Sequence, residues 1–167
     1  MAVIKRETGR GFAATDSTAS VFTAMTTEQT LFSHTIVGGY MSNNKELRFN
    51  ILCALTSPML SVPTITVKVK LGSSVINIMQ GLTLATGQNN APFLIEGVIA
   101  NSNDPAIQTV FTKLTQATTA ILSSQPMAYA DWTVDTTVDQ LFAITAQFGG
   151  ISVATSLTYK HASVELS

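Results

Sequence analysis

The chain has 167 residues, 46% of them hydrophobic and only 11% charged, with a formal net charge of −1. The length suits one domain with a full core. The charge balance offers no basic field for nucleic acid or an anionic membrane, and no run reaches the ~18 apolar residues of a membrane span. We therefore expect no nucleic acid and no membrane among its partners.

The charged fraction is less than half of the ~25% usual in soluble domains. The polar surface must come from Ser, Thr, Asn and Gln, which repel neighbouring subunits weakly. That points to a component of an assembly. Cys53 is the one cysteine, so there is no disulfide framework, and folding in a reducing cytoplasm is expected.

Residues 1–26 open the chain. MAVIKRETGRG is polar after four residues and lacks the apolar core of a signal peptide. Lys5, Arg6 and Arg10 concentrate charge here, and Phe12, Val21 and Phe22 punctuate a run of Ala, Thr and Ser. No periodicity is sustained, so residues 1–26 read as an arm, laid along the domain or reaching a neighbour. Residues 27–167 read as the domain itself.

A first strand is expected over Gln29–Val37, ended by Gly38-Gly39, which tolerate positive φ. Ser42-Asn43-Asn44 turn into a strand over Glu46–Leu55, with Leu47, Phe49, Ile51, Cys53 and Leu55 on one face. Ser57-Pro58 and Val62-Pro63 bracket a loop. Thr64–Leu71 alternates Ile65, Val67, Val69 and Leu71 against Thr64, Thr66, Lys68 and Lys70. Period two marks half-buried strands of an antiparallel sheet. Gly72-Ser73-Ser74 closes a hairpin with Val75–Met79.

Gly81–Thr86 reads as a short strand, and Gly87-Gln88-Asn89-Asn90 as a loop. Pro92–Ala100 is strand-like, with Gly97 marking a bulge or a close backbone approach. In Ala106–Leu122, Ile107, Val110, Phe111 and Leu114 follow helical spacing, but the threonine content favours strand; mostly strand is chosen. Ala128–Thr136, Gln140–Phe148 and one or two strands within Ile151–Leu166 complete the pattern. Eight to ten short strands without sustained helix signal an all-β antiparallel sandwich or barrel.

The stretch LFSHTIVGGYMSNNKELRFNILCALTS, followed by TITVKVKLGSSVI, resembles an opening found in bacteriophage virion proteins. Leu31, Ile36, Gly38, Asn44, Leu47, Arg48, Ile65, Val67, Lys68, Val69, Leu71 and Gly72 carry the likeness, which covers roughly residues 31–75. The resemblance implies an antiparallel two-sheet sandwich of jelly-roll type with an extended N-terminal arm. It also implies a homotrimer in the virion, as a capsid decoration (cement) protein, a head fibre, or a tail or baseplate component. No Gly-X-Y or heptad shaft is present, which favours the compact decoration protein over a fibre.

Site chemistry is sparse. No GxSxG, HExxH, P-loop or dinucleotide fingerprint occurs. Glu46, Glu96 and the aspartates do not announce a glycosidase pair. His34 and His161 lie far apart in sequence. Asp131, Asp135 and Asp139 lack the ligand alternation and central glycine of a calcium loop and read as solvated. Cys53 reads as a buried thiol. Exposed aromatics could stack on sugars: Trp132 with Tyr129 is the best pair, then Tyr40 and Tyr159, although a tryptophan at the edge of the core is the simpler reading of Trp132.

The expectation is therefore a non-enzymatic structural protein, needing no metal and no cofactor. It is made in the host cytoplasm and sits on the capsid surface, where it binds the major capsid protein and its own subunits. Partner contacts are expected at Lys5, Arg6, Arg10, Phe12 and Phe22. The alternative is a tail, baseplate or head-fibre component that binds a host surface glycan.

Overall fold

The computed structural model describes residues 3–5, 13–41, 44–57, 64–116, 126–150 and 154–167. These form twelve strands: β1 (Val3–Lys5), β2 (Ala13–Asp16), β3 (Ser20–Thr23), β4 (Gln29–Ile36), β5 (Glu46–Ser57), β6 (Thr64–Leu71), β7 (Ser74–Thr83), β8 (Gln88–Asn101), β9 (Gln108–Gln116), β10 (Met127–Trp132), β11 (Gln140–Gly149) and β12 (Ser156–Leu166). The larger sheet runs β1-β2-β12-β5-β8-β9-β10, with β3 also paired to β12, and the smaller runs β4-β11-β6-β7.

Every pairing is antiparallel, and the main pairs are nested. β2 and β3 pair with β12, β4 with β11, β5 with β8, and β6 with β7. First with last, second with second-last, and so inward, is the winding of a jelly roll. The chain is thus an all-β, two-sheet antiparallel sandwich of jelly-roll type. The hairpin β9–β10 extends the larger sheet beyond β8.

Period-two patterning set both inner faces. Leu47, Phe49, Ile51, Cys53 and Leu55 are at most 1% exposed, as are Ile65, Val67, Val69 and Leu71. Full burial of such side chains contributes about 1.5–3 kcal/mol each. Phe142 joins the sheets, its ring 5.1 Å from Phe49 across the sandwich and 6.2 Å from Phe32 on the neighbouring strand.

Three expectations change. Gln88–Asn90 is the start of β8 rather than a loop: Gln88 pairs with Ser57 and Asn90 N donates to Thr56 Oγ1 (3.1 Å). The expected break near Gly81 is absorbed within a continuous β7 by register shifts, with Gly81 at φ 59°. β10 stops at Trp132, short of Thr136, because Val134 and Thr136 bond to groups outside the ladder. Of the two courses expected for the arm, residues 13–16 and 20–23 take the one along the domain, as strands of its own sheet. Ala14 is fully buried, and the buried Tyr159 donates to the Asp16 carbonyl (3.3 Å).

Candidate functional site

Strand register brings many loops to one end of the sandwich. β4 ends there at Ile36 opposite Gln140, β5 begins at Glu46 opposite Ala100, and β12 ends at Leu166 opposite Leu47. A buried polar network ties these loops together. Asn101 Nδ2 donates to the Met41 carbonyl and to Thr136 Oγ1 (2.8 Å), while Thr136 Oγ1 donates to the Pro105 carbonyl (2.6 Å). Gln108, wholly buried, replaces a strand partner: its Nε2 donates to the Pro105 and Val134 carbonyls, and its Oε1 accepts from Val134 N, all at 2.9 Å. In a low-dielectric interior such bonds hold loop backbone in one arrangement.

Gly38 fits the same end tightly. A Cβ there would lie 2.7 Å from the Val138 Cα, and its N–H donates to Asp139 Oδ1 (2.8 Å). The next residue, Gly39, has φ 81°. The rigid end carries exposed apolar tips: Val37, Tyr40, Ile107, Val138 and Leu141, each 42–53% exposed. Lys5 pairs with Ala13, and Ala13 with Glu165, so the end of β1 and the start of β2 lie at this end too.

The second surface is the outer face of the larger sheet. Arg48, Val98, Phe111 and Tyr129 form one row across β5, β8, β9 and β10. Asn50, Glu96, Lys113 and Met127 form the next. A shallow groove of about 220 Å³ lies between Arg48, Asn50, Glu96, Val98, Phe111 and Lys113. Phe111 is 43% and Tyr129 66% exposed. Each groove cation faces a carboxylate: Arg48 pairs with Glu46 and Lys113 with Glu96, both at 2.5 Å. The outer face of the smaller sheet differs, for there Glu28 bridges Lys68 and Lys70.

The expected partner residues fare unequally. Lys5 lies in β1, while Arg6, Arg10 and Phe12 lie outside the described residues. Phe22, in β3, is half-buried against the chain's own core. Trp132 is buried on the inner face and, three residues along the same strand, cannot form a platform with the outward Tyr129. Tyr159 is buried and Tyr40 sits at the loop end. The residue opposite Tyr129 on the neighbouring strand is Phe111. Sequence reading missed it because a neighbouring-strand contact leaves no mark in local spacing.

The two histidines stand apart from one another. His34 shares an inner row with Phe142, and burial lowers its pKa, whereas His161 pairs with Leu52 on the other sheet. Burial pushes the Cys53 thiol up to about 12. Asp131 accepts from Thr109 and Tyr129, Asp135 from Thr137, and Asp139 from Gly38. Among the described residues no group of three or more His, Cys, Asp or Glu is placed to hold a metal ion, and no helix is long and apolar enough to cross a membrane.

No family model and no curated protein matches the sequence. Similar solved structures include peanut lectin with a 9mer peptide (5% identity, TM-score 0.43, covering 99% of this chain and 84% of that one). Another is the CBM2 module of the evolved Dit of Lactobacillus casei BL23 phage J-1 (13%, 0.35, 80% and 67%). A third is the T13 IBDV viral particle (10%, 0.44, 94% of this chain but 34% of that one). At such scores and identities the fold rests on the strand order, and no function passes from these proteins to this chain.

Proposed function

We propose that the chain is a non-enzymatic structural protein of a phage virion, a trimer that binds the outside of the assembled capsid and stabilises it. One observation carries the reading. A rigid, apolar-tipped loop end (Val37, Tyr40, Ile107, Val138) lies where the strand ends flanking the cationic segment 6–12 also lie. The exposed apolar tips offer the contact, and Lys5, Arg6 and Arg10 give the segment between the two strands a net positive charge in sequence, suited to an acidic shell surface. The loops are already ordered by Asn101, Gln108 and Thr136, so docking loses little conformational freedom.

The mechanism is mass action. A protein that binds only the assembled shell stabilises it by its binding free energy, and three linked contacts in a trimer raise effective affinity without new chemistry. The sparse charge of the sequence supports burial against partners. Co-sedimentation with empty capsids of the phage, with shell melting recorded, tests the reading. Saturable binding that raises the shell melting temperature, weakened at least tenfold by Val138→Asp or Ile107→Asp, is the expected result. Absence of binding by the folded protein overturns it.

A further inference from the structure

We propose that the outer face of the larger sheet is a binding site for a neutral oligosaccharide, with Phe111 and Tyr129 as the stacking platform and Arg48, Asn50 and Glu96 as the hydroxyl partners. This goes beyond shell binding, which is assigned to the loop end. A pyranose has an apolar C–H face and a rim of hydroxyls, so it needs a flat apolar surface edged by planar polar groups. Phe111 and Tyr129 are directly paired on adjacent strands, which sit ~4.8 Å apart. Both side chains are exposed on the outer face. Val98 continues the row, and Asn50 and Glu96 edge the groove beside it. The Tyr129 hydroxyl donates to Asp131 Oδ1 (3.0 Å), which also accepts from Thr109 Oγ1 (3.1 Å), so the platform's outer rim is polar and oriented.

The charge pattern selects the ligand class. Arg48 and Lys113 are each already matched by a glutamate, leaving no uncompensated cation for a phosphate or uronate. A second copy of the chain would have to desolvate both ion pairs, an unfavourable step without replacement hydrogen bonds. Sugar hydroxyls supply such bonds. The groove, about 220 Å³, lies below the ~300–1,000 Å³ of sites that engulf drug-sized ligands. It suits one sugar ring of a longer chain lying across the strands.

The test is calorimetric titration of the full chain with maltohexaose, cellohexaose and chitohexaose, and with hexagalacturonate as the anionic counterpart. At least one neutral hexasaccharide should bind and hexagalacturonate should not. Phe111→Ala and Tyr129→Ala should each weaken binding about tenfold. Both side chains are exposed, so the variants should keep the wild-type melting temperature and sedimentation coefficient, and Phe111→Ala should retain capsid co-sedimentation. The proposal is overturned by failure of all three neutral sugars to bind, or by full binding in the double variant. A change of oligomeric state would make the face a self-interface, and loss of capsid binding would make it the shell contact; either result also overturns it.

Discussion

Gly97 shows how one residue can be legible in sequence while its cause is not. A glycine within a strand run signals a bulge or a close approach, and the structure has the second. A Cβ at Gly97 would lie 2.6 Å from both the Phe111 carbonyl oxygen and Phe49 Cζ. Phe49 pairs directly with Gly97, so its ring covers the glycine on the inner face. Gly97→Ala should cost about 1–3 kcal/mol through overpacking, read as a lower denaturant midpoint. Shrinking the ring with Phe49→Leu should recover part of that loss in the double variant, because the two changes share one space. Glu28 makes a second prediction. Its hydrogen bonds to Lys68 and Lys70 lower its pKa from an ordinary 4.5 to about 2. The stabilisation is therefore present above pH 4.5 and lost as pH falls from there towards 2. With the pair partly solvated, Glu28→Gln should cost about 1 kcal/mol at neutral pH and almost nothing near pH 2, measured by urea unfolding across that range.

At the scale of the element, β9 is the instructive case. Its Val110, Phe111 and Leu114 follow helical spacing, yet Gln108–Gln116 is a strand with Val110 and Leu114 inward and Phe111 outward. Pairing to β8 on one side and β10 on the other outweighed the local pattern. The same pairing brings Gln108 to Val134, a contact across 26 residues that no spacing rule exposes. Gln108→Ala should cost about 2 kcal/mol by leaving buried backbone groups of Val134 without partners, seen as faster amide exchange in the β10–β11 loop. The N-terminal segment makes the complementary point. Its composition, small residues with isolated Phe and Val, reads as an arm along the domain or towards a neighbour, and the sheet edge that 13–16 and 20–23 join is visible only in the structure. Deleting residues 1–12 should leave the melting temperature nearly unchanged. Deleting through Thr23 removes Ala14 and Phe22 and the acceptor of the Tyr159 hydroxyl, and should cost about 3 kcal/mol or more.

At the scale of the molecule, alternation in 46–55 and 64–71, glycine-rich turns and the absence of sustained helical periodicity were enough for an all-β antiparallel sandwich or barrel. Those signals are local: a strand that buries one face must alternate, and a reversing chain needs residues that tolerate the turn. Cys53 as a buried thiol and Trp132 as a core residue were legible for the same reason, since hydrophobic burial is written into each residue's own chemistry. The nesting of β2 and β3 with β12 and of β4 with β11 was decided only by tertiary structure, because those partners lie more than a hundred positions apart and their pairing depends on two whole faces closing on each other. The same holds for the two surfaces that carry the functional readings. The loop end is made by Asn101, Gln108 and Thr136 meeting across three loops, and Phe111 and Tyr129 become neighbours only through the register of two strands. Sequence fixes which side chains face outward; only the register of paired strands decides which of them become neighbours.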